Sequence, residues 1–211
     1  SLAVCDSLST ATGQDGCWQG AFMENVNAAM RGEAREGVFS KSDPLAPCNG
    51  VAGKYRHECF INHAGWLMHV FSNNVAHASA ACLQAPSAAN VSACLQSIGL
   101  MVTNPVWQAA LAGNTAGKSF AEISWGLCVQ FPETYQSECV RGAVDNVLNF
   151  DELDVTRADA FCQAVSSNLR VLCAERIGGS LRSQATDVAA VRQKCQSLKD
   201  NQVACLRGAG L

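Results

Sequence analysis

The chain has 211 residues, 48% of them hydrophobic and only 16% charged, with a formal net charge of −3. That size and apolar content allow a substantial core and exclude disorder, while the lack of a basic excess excludes nucleic-acid binding by bulk electrostatics. No run approaches the roughly 18 apolar residues of a membrane-spanning helix, and the whole of residues 1–211 reads as one domain.

Twelve cysteines punctuate the chain in pairs. Cys5 and Cys17 enclose Gly13 and Gly16, residues that interrupt helices. Cys48 and Cys59 enclose Asn49-Gly50 and Gly53. Beyond them Phe60, Ala64, Leu67, Met68 and Phe71 follow one helical face, predicting a helix from Tyr55 to Phe71. Cys82 and Cys94 enclose Pro86, and Cys128 and Cys139 enclose Pro132. After Cys139, Val140, Val144, Val147 and Leu148 fall at i, i+4, i+7 and i+8. Cys162 and Cys173 enclose Ser166-Ser167-Asn168, and Cys195 and Cys205 enclose Lys199-Asp200-Asn201, both suited to a helix N-cap. Val188, Val191, Cys195 and Leu198 form a last apolar stripe. No stretch alternates as a half-buried strand does, so the fold class is all-α.

Within pairs the separations are 12, 11, 12, 11, 11 and 10, and the first members recur at intervals of 43, 34, 46, 34 and 33. On one unbroken helix, 11 residues span roughly 16 Å, whereas a disulfide needs Cα atoms within about 7 Å. Each pair is therefore expected to fold as helix, turn, helix with one bridge across it. About six stapled hairpins would stack as a short solenoid or a compact bundle. The segments Cys17-Trp-Gln-Gly20-Ala21, Cys139-Val-Arg-Gly142-Ala143 and Cys205-Leu-Arg-Gly208-Ala209 match. A glycine one turn beyond each cysteine would admit a neighbouring helix. Two longer insertions, at 31–47 and 103–118, read as loops or short extra helices, where binding surfaces tend to form.

Six bridges over loops of 10 to 12 residues would contribute roughly 2.5 to 3 kcal/mol each on the chain-entropy model. Such a framework persists only in an oxidising compartment, so a secreted, periplasmic or cell-surface protein is expected. An opening at Ser1 is compatible with a removed signal peptide. Asn90-Val-Ser92 is a glycosylation sequon if the pathway is eukaryotic.

Stapled C-x10-C hairpins at a mean period near 38 resemble the disulfide-stapled Sel1-like repeat proteins, in which one bridge ties the two helices of each repeat. The resemblance covers nearly the whole chain as architecture and implies a protein-interaction scaffold. Cys17-Trp-Gln-Gly-Ala-Phe-Met-Glu-Asn25 and Tyr55-Arg-His-Glu-Cys59-Phe-Ile-Asn-His63 also resemble motifs of bacterial cysteine-rich proteins.

Candidate chemistry is sparse. His57, His63 and His69 stand six apart and out of phase on one helix, while His69 and His77 align two turns apart. They read as hydrogen-bonded helix residues, with a metal or haem site at His63 and His69, helped by Met68, as the competing reading. Trp18, Glu24 and Asn25 could form a polar niche in an apolar wall, lined further by Trp66, Trp107 and Trp125, although a tryptophan in a helical repeat more often fills the space between layers. No Gly-x-Ser-x-Gly elbow occurs, and paired cysteines offer no nucleophile, so no catalytic residue is assigned. Reduced thiols storing copper(I) would need shorter spacings than these. No metal ligand set and no cofactor is called for. The leading expectation is an interaction module that binds a protein or peptide along its repeat surface. The alternative is a subunit or carrier of a metal, haem or small apolar ligand near Tyr55–Phe71, with ligand-binding candidates Trp18, Glu24, Asn25, His63, Trp66 and His69.

Overall fold

The computed structural model describes residues 2–104, 117–185 and 187–211. Among them are twelve α-helices, two short 3₁₀ turns and no strand. The chain divides into two compact units, Ser1–Ile98 and Gly99–Leu211.

The first unit contains α1 (Leu2–Asp6), α2 (Ala11–Met30), α3 (Gly53–Ile61), α4 (Ala64–Val70), α5 (Val75–Cys82) and most of α6 (Ala88–Thr103). Helix α2 packs on α1, α3 and α4. It begins at Thr10, whose hydroxyl accepts the Gly13 N–H at 3.1 Å, so Gly13 and Gly16 lie inside the helix and the turn falls at Ser7–Thr10. A good N-cap outweighs the modest cost of two helical glycines. Phe22, Val26 and Ala29 form its buried stripe. Gly65 lets α4 lie against it, since a Cβ there would stand 3.0 Å from the Met30 sulfur and 3.1 Å from Val26.

The helix expected from Tyr55 to Phe71 is two helices. The Asn62 side chain donates to the Glu58 carbonyl at 2.8 Å, and the Asn62 and His63 N–H groups turn back to Cys59 and Phe60. A short amide side chain thus competes with the helical ladder and ends α3. A second break separates α4 from α5, where Ser72 and Asn73 adopt φ of 51° and 64°. No right-handed helix continues through two such residues, so His69 and His77 do not share a helix as their spacing suggested.

The second unit contains the end of α6, α7 (Phe120–Cys128), α8 (Gln136–Phe150), α9 (Thr156–Ala164), α10 (Arg170–Gln184), α11 (Val188–Gln196) and α12 (Gln202–Gly208). The stripe Val140, Val144, Val147, Leu148 is fully interior on α8. Helix α10 is central, packing on α8, α9, α11 and α12. It is tied to α8 by Arg176, whose Nε donates to Asp145 at 2.7 Å, with the Ser180 hydroxyl on the same carboxylate.

All six bridges join nearest neighbours, with Cα–Cα distances of 5.4 to 5.6 Å, and no cysteine is free. Five close a helix–turn–helix. In the remaining one, Cys48 sits in a run of turns at 44–50 and is tied to α3. The turns follow Val129–Pro132 and Ala85–Ser87 as Pro132 and Pro86 suggested, but Ser166 and Asn201 make no side-chain cap.

Helices α10 and α12 meet backbone to backbone. A Cβ on Gly178 would lie 1.9 Å from the Cys205 carbonyl oxygen, and one on Gly208 would lie 1.9 Å from that of Glu175. Each glycine therefore faces the carbonyl three residues ahead of the other, and the Arg207–Glu175 ion pair, at 2.6 Å, spans the crossing. Gly99 of α6 meets the Cys139 carbonyl of α8 in the same way, at 2.5 Å. The close approach expected beyond the cysteine holds at Gly208. Gly20 has nothing within 4 Å and serves no such contact.

The turn between α8 and α9 repeats that between α4 and α5. Glu152 and Leu153 take φ of 50° and 65°, and Leu153 N–H donates to Leu148 just as Asn73 N–H donates to Met68. These positions lie eighty residues apart, as do Cys48 and Cys128, Cys59 and Cys139, and Cys82 and Cys162. A pair of hairpins is thus repeated within the chain.

Candidate functional site

The candidates on α3 and α4 gather into a ladder of rings. Phe39 stacks on His63 with centroids 6.1 Å apart and meets Trp66 edge-on at 5.1 Å; Trp66 in turn stacks on His69 at 5.5 Å. His63 is 1% exposed. Its Nε2 donates to the Pro44 carbonyl at 2.7 Å, pinning the 31–52 segment to the α3–α4 break, and its Nδ1 is enclosed without a partner among the described residues. Burial pushes this imidazole down to about 4, against the opposing pull of the Pro44 carbonyl and Asp43. His69 is on the surface, and Trp66 is buried with Val26 and Ala29 of α2.

The remaining candidates stand apart from this ladder. Trp18 is buried and meets Tyr55 edge-on at 5.2 Å. Tyr55 donates to Asp6 at 2.6 Å and Lys54 pairs with the same carboxylate at 2.9 Å; these contacts, Lys54 first, hold Asp6 below the usual carboxylate range. Glu24 and Asn25 are exposed on α2, with Glu24 paired to Arg31 at 3.2 Å. The structure therefore does not enclose Trp18, Glu24 and Asn25 in one niche with Trp66. Trp125 is half-buried on α7, and Trp107 lies outside the described residues.

No group of three or more metal-ligating side chains occurs among the described residues, and all twelve thiols are bonded, so none is available to hold copper(I). The sequon asparagine, Asn90, lies inside α6 at 8% exposure, where its Oδ1 accepts the Ser87 hydroxyl.

A cleft that the sequence gave no sign of lies in the second unit. It has a volume of about 580 Å³ and is bounded by the start of α7, one side of α9 and the α11–α12 turn. The start of α7 is fixed by a reciprocal cap between Ser119 and Glu122, whose carboxyl is held low by the Ser119 backbone and side chain. Phe120, Ala160 and Leu198 supply apolar wall; Arg157 lies 4.0 Å over the Phe120 ring and pairs with Asp151 at 3.0 Å. The cleft also reaches Asp159, which is 7% exposed. Its residues come from three segments far apart in sequence, and only Leu198 and Lys199 belong to motifs singled out earlier.

Compared with models of known protein families, with characterised proteins and with solved structures, the chain finds no match in any of the three.

Proposed function

We propose that this chain is a structural and binding module of an oxidising compartment, secreted, periplasmic or at a cell surface, which holds a protein or peptide partner on its helical-repeat surface. The observation that carries this reading is the commitment of all twelve cysteines to short-range bridges, five across helical hairpins and the sixth tying a run of turns to α3. Short-range staples rigidify a repeat surface without cross-linking its ends, and they survive only where thiols are oxidised. Exposed apolar side chains such as Met23, Phe150 and Val203 give such a surface contact area. The likeness to Sel1-like repeats supports the same scaffold role.

The alternative, a carrier of metal, haem or an apolar ligand at α3–α4, has less behind it. His63 spends Nε2 on Pro44 and His69 stacks on Trp66, so the two imidazoles serve different partners.

The test is cross-linking of the protein in its native extract, followed by peptide mapping and thiol titration. One reproducible partner cross-linked through surface helices, with no free thiol, is the expected result. A lone monomer, or several free thiols, would overturn the reading.

A further inference from the structure

Cys17 is the odd member of the disulfide framework. Eleven of the twelve cysteines are buried at 3% exposure or less, and Cys17 alone is half-buried. A side chain on an α-helix is flanked by those three and four residues away. For Cys17 these are Gly13, Gln14, Gly20 and Ala21, of which three add a methyl group or nothing. A Cβ on Gly16, its neighbour in the chain, or on Gly20 would meet nothing within 4 Å, so the space beside Cys17 is open. Cys205 and Cys139 are also followed by a glycine one turn on, yet another helix presses on each of them. A Cβ on Gly178 would lie 1.9 Å from the Cys205 carbonyl oxygen, and one on Gly99 would lie 2.5 Å from that of Cys139. Cleavage of a disulfide by a thiolate depends on access to the sulfur attacked, and the Cys5–Cys17 bridge is the least covered of the six.

Opening this bridge is also a local event. Cys5 is the buried residue of α1. The hydrogen bonds that hold α1 and its turn without the bridge come from the Gln14 amide, to the Asp6 and Leu8 carbonyls at 3.2 and 2.8 Å, and from Tyr55 and Lys54 to the Asp6 carboxylate.

We propose that Cys5–Cys17 is a thiol-exchange site for a dithiol reductant, opened while the other five bridges stay closed. A thiolate of the dithiol attacks Cys17 Sγ and forms a mixed disulfide as the bond to Cys5 breaks; Cys5 leaves as a thiolate and takes up a proton. The second thiol of the reductant then loses its proton and attacks the sulfur of the first. Cys17 is released as a thiolate that is protonated in turn, so the bridge gains two electrons and the dithiol ends as a disulfide. The site goes beyond the partner-binding reading and does not depend on it.

The test is limited reduction of the intact, oxidised protein by dithiothreitol without denaturant, quenched by alkylation and mapped by mass spectrometry. Cys5 and Cys17 should be alkylated first, at least roughly tenfold faster than any other pair, with the helical circular dichroism retained. With glutathione, which carries a single thiol, the trapped adduct should sit on Cys17 and the alkyl group on Cys5. Gly20→Leu has room for its side chain and should slow the step several-fold by covering Cys17, whereas Gly126→Leu, exposed on α7 with nothing within 4 Å, should leave the rate unchanged. Parallel loss of all six bridges, another bridge opening first, resistance of Cys5–Cys17 to reduction, or a glutathione adduct on Cys5 would overturn the proposal. So would collapse of the helical signal with the first reduction, an unchanged rate in Gly20→Leu, or equal slowing in Gly126→Leu.

Discussion

The α10–α12 crossing is open to a direct test by Gly178→Ala. In an ordinary helix this change stabilises, since alanine is favoured over glycine by about 1 kcal/mol. Here the new methyl would sit 1.9 Å from the Cys205 oxygen and 2.8 Å from the Ala209 nitrogen. Ordinary contact begins near 3.4 Å, so the two helices must separate by roughly 1.5 Å, on the scale of overpacking changes that cost 1–3 kcal/mol. That separation also lengthens the Arg207–Glu175 pair. After the propensity gain is deducted, a net loss of about 1 kcal/mol, and at most about 2, is expected. Gly208→Ala should do the same through the Glu175 carbonyl. Because one separation relieves both clashes, the double variant should lose clearly less than the sum of the two. Gly126→Ala is the control: it is helical and exposed, has nothing within 4 Å, and should gain about 0.5–1 kcal/mol. Urea unfolding of the disulfide-intact proteins, followed by circular dichroism, measures all four. If Gly178→Ala matches or exceeds the parent while Gly126→Ala gains as expected, the backbone-to-backbone crossing is wrong.

Other regions give predictions of different kinds. Replacing both members of the Cys128–Cys139 bridge by serine should lower stability by about 3 kcal/mol for a loop of 11 residues; an unchanged midpoint in chemical unfolding would count against a load on that bridge. His63 is depressed from 6.5 to about 4, so the unfolded chain holds more protons between those values. Stability contributed by neutral His63 is therefore complete above pH 6.5 and falls as pH drops through 4, by up to about 3 kcal/mol. Unfolding curves from pH 7 to pH 4 should flatten in His63→Gln relative to the parent, and an equal slope in both would remove His63 as the cause. At the other end of the unit, Lys54→Met should raise the Asp6 pKa toward its ordinary value, as read by NMR titration of the carboxyl carbon; no movement would show that Tyr55 alone sets it.

The bridges and the hairpins were legible because both rest on local rules. A separation of 11 forces either a broken helix or no bond, and the apolar stripe after Cys139 names its own buried face. The failures have local causes too, but weaker ones. Gly13 and Gly16 mark a break only if nothing nearby starts a helix better, and Thr10 does. Asn62 ends α3 through a bond to Glu58 that no apolar period reveals, because Phe60, Ala64, Leu67 and Met68 keep their spacing across it and are all buried. Ser72-Asn73 and Glu152-Leu153 form the same left-handed turn from unlike residues, so the repeat of eighty residues shows in the backbone and the cysteines rather than in side-chain identity.

The glycines show where local rules stop. Gly20 and Gly208 occupy the same place after a cysteine in matching segments, yet only Gly208 touches another backbone. What differs is the partner: α12 meets a helix that carries its own glycine, Gly178, and α2 meets α4 at Gly65 against side chains instead. A small residue permits close approach, and the tightest crossing here is the one at which both helices supply one. The candidate cleft has the same character, since the ends of α7, α9 and α11 make it jointly and none carries a distinguishing mark. A disulfide pins a helix to its neighbour in sequence, and the choice of its neighbour in space falls to pairs such as Gly178 with Gly208 and Arg176 with Asp145.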